Sequence, residues 1–126
     1  MTVPEAHRVP EPDVLDLAVI DGLRELGGEE DPGLLSELIE LFLSDAPQRL
    51  QELEAALEDG DLERLSRAAH TLKSSSANLG AVAFRRLCEE LERSARQGDE
   101  ATCRRRRQEW RGAYAALEQA LARLAG

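Results

Sequence analysis

The chain is 126 residues long, enough for one ordinary domain and too short for two. Acidic residues outnumber basic ones 25 to 16, and the net charge of −9 would repel a phosphate backbone, which argues against a nucleic-acid binder. Hydrophobic residues make up 42% of the chain but aromatics only 3%, and Val and Ile together number seven, a pool that suits helices and starves a sheet.

Residues 1–12 carry Pro4, Pro10 and Pro12 without apolar periodicity and read as a flexible arm, unlike a secretory signal. Residues 13–126 read as one helical domain. Asp13 is placed to cap a short helix that turns Leu15, Val19 or Ile20, Leu23 and Leu26 inward and stops at Gly27 and Gly28. Asp31 and Pro32 form a cap followed by proline at the first helical position. Leu34, Leu35, Leu38, Leu41, Phe42, Leu50, Leu53 and Leu57 then recur at helical spacing as far as Gly60. Pro47 lies inside that run, where a bend or short break is expected. Asp61 caps a third segment that Gly80 stops, Ala81 to Gln97 form a fourth, and Asp99 caps a fifth that runs to the C-terminus. That last segment carries a stripe of Cys103, Trp110, Ala113, Tyr114, Leu117, Leu121 and Leu124. Its run Arg104 to Arg107 spans all faces of one turn and is expected to be a solvated surface. Such short connections force successive helices to run antiparallel. The predicted fold is all-α, an up-down-up-down four-helix bundle with a short additional N-terminal helix.

Two cysteines, Cys88 and Cys103, fall on apolar stripes as core residues and are too few for a disulfide scaffold. No apolar run approaches the ~20 residues that span a bilayer. A cytoplasmic monomer without membrane or nucleic-acid partners is expected. Met1 and the ending Ala125-Gly126 favour a free-standing chain over a fragment of a hybrid kinase.

The third segment is the informative one. Leu62, Leu65, Ala69, Leu72, Ser76 and Leu79 form its inward seam. At 100° per residue His70 lies roughly 130° from the centre of that seam and faces outward. Its neighbours three and four residues away are Ser66, Arg67, Lys73 and Ser74, with Ala77 a turn further on. Two are cations and the rest are small. An imidazole so placed can be approached by another protein, and cations on either side can offset charge gathering on it, as a phosphoryl-accepting nucleophile requires. A solvated polar face would carry the same residue types. The run of small residues Ser74 to Ala77 tilts the balance towards an approachable ring, since Ser74 faces outward where packing does not explain it.

The stretch Ala68-Ala69-His70-Thr71-Leu72-Lys73-Ser74-Ser75-Ser76-Ala77-Asn78-Leu79-Gly80 resembles the signature of histidine-containing phosphotransfer (HPt) domains, which usually read A-H-x-L-K-G-S-x-x-x-x-G. The resemblance extends to Leu41-Phe42, Asp45-Ala46-Pro47, Gly60-Asp61 and Leu87 to Glu92, covering roughly residues 30–100. It implies that His70 accepts a phosphoryl group from a phospho-aspartate and passes it to another aspartate, and that Lys73 stabilises the group electrostatically. It places at Glu92 the residue that hydrogen-bonds the inner ring nitrogen, fixing the tautomer. Arg96, one turn on, would reach the phosphate. Ser74 departs from the family's usual glycine, which bears on how closely a receiver docks.

The implied partners are response-regulator receiver domains and a sensor or hybrid histidine kinase. No cofactor is expected, magnesium belonging to the partner receiver. Residue 67 is Arg and His7 lies in the arm, so the paired Glu-x-x-His elements of a di-metal bundle are absent from the sequence. No nucleotide-binding signature is present either, so the chain reads as a relay intermediate and not as an enzyme with turnover. The alternative is a module that binds or sequesters a receiver without being phosphorylated.

Overall fold

The computed structural model describes residues 14–125, so the expected arm at 1–12 and the cap at Asp13 lie outside the described residues. Six helices follow in order: α1 Leu17–Gly27, α2 Leu34–Asp59, α3 Leu62–Asn78, α4 Val82–Arg96, α5 Glu100–Arg105 and α6 Arg107–Ala125. Among the described residues there is no strand. Helix α2 packs on α3, α3 on α4, α4 on α6, and α6 back on α2, which closes the expected four-helix bundle. Helix α1 packs on α2 beside it. No helix among the described residues is long and apolar enough to cross a membrane.

Aspartate caps explain three of the six helix starts among the described residues. Asp61 accepts from the Arg64 amide at 3.1 Å and Asp99 from the Thr102 amide at 3.1 Å, satisfying first-turn donors as expected. Helix α1 is capped by Asp16, which accepts from the Ala18 amide at 3.0 Å, and its buried face is set by Ile20 and Gly27. Leu26 lies 120° around from Ile20 at helical spacing and is 76% exposed, against expectation. Helix α2 starts at Leu34, two residues after Pro32. The Leu34 amide donates to the Asp31 carbonyl at 3.2 Å, so residues 31–34 form a turn in place of a proline-led first turn.

Pro47 neither breaks nor ends α2. A proline in a helix interior costs about 3 kcal/mol or more. Phe42 and Ala46 on one side and Leu53, Ala56 and Leu57 on the other are all buried, and that packing outweighs the loss. Leu41, expected inward, is 66% exposed, and Ile39 takes the buried position instead.

The predicted fifth helix is divided at Arg106 into α5 and α6. The division is local, because the Arg106 amide still donates to Thr102 and its carbonyl still accepts from Trp110. The arginine run is only partly the solvated surface expected: Arg104 and Arg105 are exposed, whereas Arg106 and Arg107 are half-buried. Arg104 donates to the Leu57 carbonyl at 3.1 Å, Arg106 lies 2.8 Å from Glu90, and Arg107 lies 3.2 Å from Glu54 and 3.1 Å from Glu58. Glu54 also accepts from Trp110 Nε1 at 3.1 Å and from Arg111 at 2.8 and 3.0 Å. These arginines tie α5 and α6 to α2 and α4.

The core contains Trp110, Phe84, Leu53, Leu57, Leu91, Leu117 and Leu121, with Phe42 and Phe84 flanking Tyr114 at ring distances of 6.4 and 5.7 Å. Cys88 and Cys103 are buried and unpaired with each other, as expected of core residues. Burial pushes the Cys88 thiol up to about 12, which makes it unreactive.

Candidate functional site

Helix α3 displays the site because its seam is buried: Leu65, Ala69, Leu72, Ser76 and Leu79 face the interior, with Leu62 half-buried. His70 sits at the midpoint of this 17-residue helix with 55% of its side chain exposed, as its angular position predicts. Midway along, the backbone is fully hydrogen-bonded within the helix, so the ring stands on a rigid base.

The turn after α3 fixes where α4 runs. Gly80 has φ +68°, its carbonyl accepts from the Asp16 amide at 2.7 Å, and a Cβ there would lie 2.8 Å from Val19 Cβ. The chain reverses tightly and α4 returns along α3, which brings Glu92 beside His70.

Glu92 is the centre of the site. Its side chain is only 4% exposed, yet it carries a carboxylate. Oε2 lies 2.8 Å from His70 Nδ1 and 2.8 Å from an Arg96 guanidinium nitrogen, while Oε1 accepts from Lys73 Nζ at 2.7 Å. Burial alone would push the Glu92 carboxyl up. Hydrogen bonds from Lys73 and His70, together with the charges of Lys73 and Arg96, outweigh it and hold the group below its ordinary value. Glu92 is therefore ionised at neutral pH and can only accept hydrogen bonds. His70 Nδ1 must then be the donor, and in the neutral ring the lone pair lies on Nε2, pointing away from Glu92 towards solvent.

The six residues singled out from sequence are not all used alike. His70, Lys73, Glu92 and Arg96 converge. Lys73 and Arg96, expected to reach a phosphoryl group directly, are both bound to Glu92. Arg67 points elsewhere, to Glu63 at 3.2 Å, and is 68% exposed. Ser74 is exposed beside the ring. Ser66, taken as a surface neighbour, is buried, because its angular position places it on the same side as Lys73, against α4. The sharing of one carboxylate by Lys73 and Arg96 was not anticipated. Half of it was legible in the i, i+4 spacing of Glu92 and Arg96.

On the side of α3 away from α4, a groove of about 280 Å³ is lined by Leu38, Leu41 and Asp45 of α2 and by Ser75 and Asn78 of α3, among others. His70 stands between this groove and Glu92. Leu41 forms an exposed apolar rim there.

The Hpt domain family model matches residues 37–125. The chain is 30% identical over 88 residues to Multistep phosphorelay regulator 1 of Schizosaccharomyces pombe, covering 70% of this chain and 30% of that protein. It is 27% identical over 92 residues to Phosphorelay intermediate protein YPD1 of Candida albicans, covering 73% of this chain and 50% of that one. It thus spans half or less of the length of these two relatives. Among solved structures, histidine-containing phosphotransfer protein B from Pseudomonas aeruginosa PAO1 superposes with a TM-score of 0.81 at 31% identity, covering 89% of this chain and 94% of that one. The maize histidine-containing phosphotransfer protein ZmHP2 gives 0.76 at 26% identity, covering 89% and 85%. A helical bundle, a histidine exposed midway along α3 and a family model spanning most of the sequence agree, and the chain belongs to the Hpt domain family.

Proposed function

We propose that this chain is a phosphorelay intermediate, in which His70 takes a phosphoryl group from the phospho-aspartate of one receiver domain and passes it to the aspartate of a response regulator. The observation that carries this reading is the exposed His70 ring with Nδ1 bound to the buried carboxylate of Glu92. The Nε2 lone pair attacks phosphorus, the bond from phosphorus to the bridging carboxylate oxygen breaks, and the electron pair leaves with the aspartate. Nδ1 keeps its proton throughout. Lys73 and Arg96 exceed Glu92 by one positive charge, which attracts the incoming group and offsets part of the roughly 1.5–2 negative charges it brings. The receiver docks over α3, with the Leu41 groove extending the contact surface onto α2. A sensor or hybrid kinase stands upstream, the relay runs in the cytoplasm, and residues 13–126 are the working unit.

The test is to mix the chain with a receiver carrying labelled phosphate. Wild type is expected to acquire acid-labile, base-stable label and the His70→Gln variant none. Label persisting in that variant would overturn the site, and an unlabelled wild type would leave a chain that only binds receivers.

Ser74 stands one turn from the ring, where an incoming receiver passes closest. Ser74→Gly is expected to change the phosphotransfer rate more than the stability, which helix propensity alters by only ~0.5 kcal/mol. Equal transfer rates for the two proteins would remove Ser74 from the docking surface.

A further inference from the structure

A second groove, of about 1170 Å³, lies where α1 begins and α6 ends. It is bounded by Leu17 of α1, by Val82 of α4, and by Ala116, Ala120 and Leu124 of α6. None of the described lining residues belongs to α2 or α3, so this groove is separate from His70 and from the Leu41 groove. Alanines four residues apart on α6 keep the trough open, and Leu17 stands at it 63% exposed. An apolar trough of this size is costly to leave in water. Val14 and Leu15 are buried in its lining, so residues 1–13 join the fold inside the groove.

We infer that residues 1–13 fold back into this groove as a tethered strap, with Val9, Pro10 and Pro12 against Leu17, Ala116 and Ala120 and with Glu11 beside Arg123. The reach is ample. From Ala116 to Leu124 the groove follows α6 for about 12 Å, at 1.5 Å per residue. Thirteen residues span about 20 Å if wholly helical and up to about 43 Å if extended, so the segment covers it in either form. Its composition fits as well, since Met1, Val3, Pro4, Ala6, Val9, Pro10 and Pro12 are apolar. Among the described lining residues Arg123 is the one cation, and Glu11 and Asp13 stand close to the anchor at Val14. Asp16, the one carboxylate of the lining, is engaged by the Ala18 amide at 3.0 Å. A segment tethered this close has an effective concentration of about millimolar, which favours it over a free partner. The two apolar grooves then have separate occupants: the chain's own N-terminal residues here and, under the relay reading, a receiver at Leu41.

The test uses the full ¹⁵N-labelled chain with a nitroxide on Ala6→Cys. Cys88 and Cys103 are buried, so the label goes to the introduced thiol. Docking is expected to broaden the amide signals of Ala116 and Ala120 more than that of Gly80, which is bonded to Asp16 but lies outside the groove lining. Adding Val9→Asp to the labelled chain is expected to abolish that difference. Broadening of Gly80 equal to that of α6, or a pattern that Val9→Asp leaves untouched, would overturn the strap. So would broadening passed from a nitroxide-bearing chain without ¹⁵N to an unlabelled ¹⁵N chain, which would make the occupant a second copy. Leu17→Ser gives an independent reading by thermal scan. A solvated leucine is replaced at almost no cost, whereas one under the strap lowers the melting temperature by about 4 °C. An unchanged melting temperature would overturn the cover over Leu17. Neither measurement involves His70, so the relay reading stands or falls separately.

Discussion

Gly80→Val is expected to destabilise the bundle by roughly 3 kcal/mol and to lower its melting temperature by about 10 °C, with little effect on the phosphorylation of whatever remains folded. Two separate penalties combine at this residue. Its φ of +68° is a conformation that a β-branched side chain adopts only under strain, about 1–3 kcal/mol. The added Cβ would also lie 2.8 Å from Val19 Cβ and 3.1 Å from the Asp16 carbonyl, so α1 must move. That movement breaks the 2.7 Å bond from the Asp16 amide to the Gly80 carbonyl, a further ~1 kcal/mol. Gly80→Asn separates the terms, since asparagine tolerates left-handed backbone but still carries the clashing Cβ. Pairing it with Val19→Ala relieves part of the clash. A valine variant that melts with wild type in a thermal scan would show that α1 does not buttress this turn.

Glu92→Ala is expected to slow phosphoryl acceptance about tenfold or more, because the ring loses the partner that fixes its tautomer and orientation. It should also cost about 1–2 kcal/mol of stability at pH 7. A fully buried broken pair would cost about 3–5 kcal/mol, but Lys73 and Arg96 are 27% and 67% exposed and regain water. The pH dependence has a definite sign. The Glu92 carboxyl is lowered in the folded chain, so its contribution is fully present above the ordinary glutamate range near ~4.3 and is lost as pH falls through the lower folded value. Urea melts of wild type and variant should therefore differ at pH 7 and converge in acid. A difference that stays constant between the two conditions would mean that Glu92 stabilises by packing and not by charge.

Much of this arrangement was legible in one dimension. The α3 seam follows from residues spaced three and four apart, and once it is buried the exposure of His70 is a matter of angle. Asp61 and Asp99 cap where they stand because a carboxylate before a helical run has waiting amides to bind. What was not legible depended on contacts between distant segments. Pro47 should interrupt a helix by local rules, but the apolar residues on both sides of it are held by other helices. Leu41 obeys the spacing of a buried residue yet is left outside, since among the described residues no helix covers that side of α2. The Arg104–Arg107 run carries no hint that Glu54, Glu58 and Glu90 lie across from it. Lys73 was identified as the cation beside the ring, but its partner nineteen residues away depends on how tightly the chain reverses at Gly80.

The division of labour between the two long faces of the bundle has an evolutionary consequence. The arginine–carboxylate ties around Glu54 and Glu58 fasten α6 to α2, while the groove rim formed by Leu41, Ser75 and Asn78, with the exposed Ser74 beside it, supports little of the core. On the relay reading proposed above, substitutions along that rim are expected to retune which regulator is recognised without eroding the scaffold. Duplicated copies of such a chain would be free to drift into separate signalling circuits long before their folding was threatened.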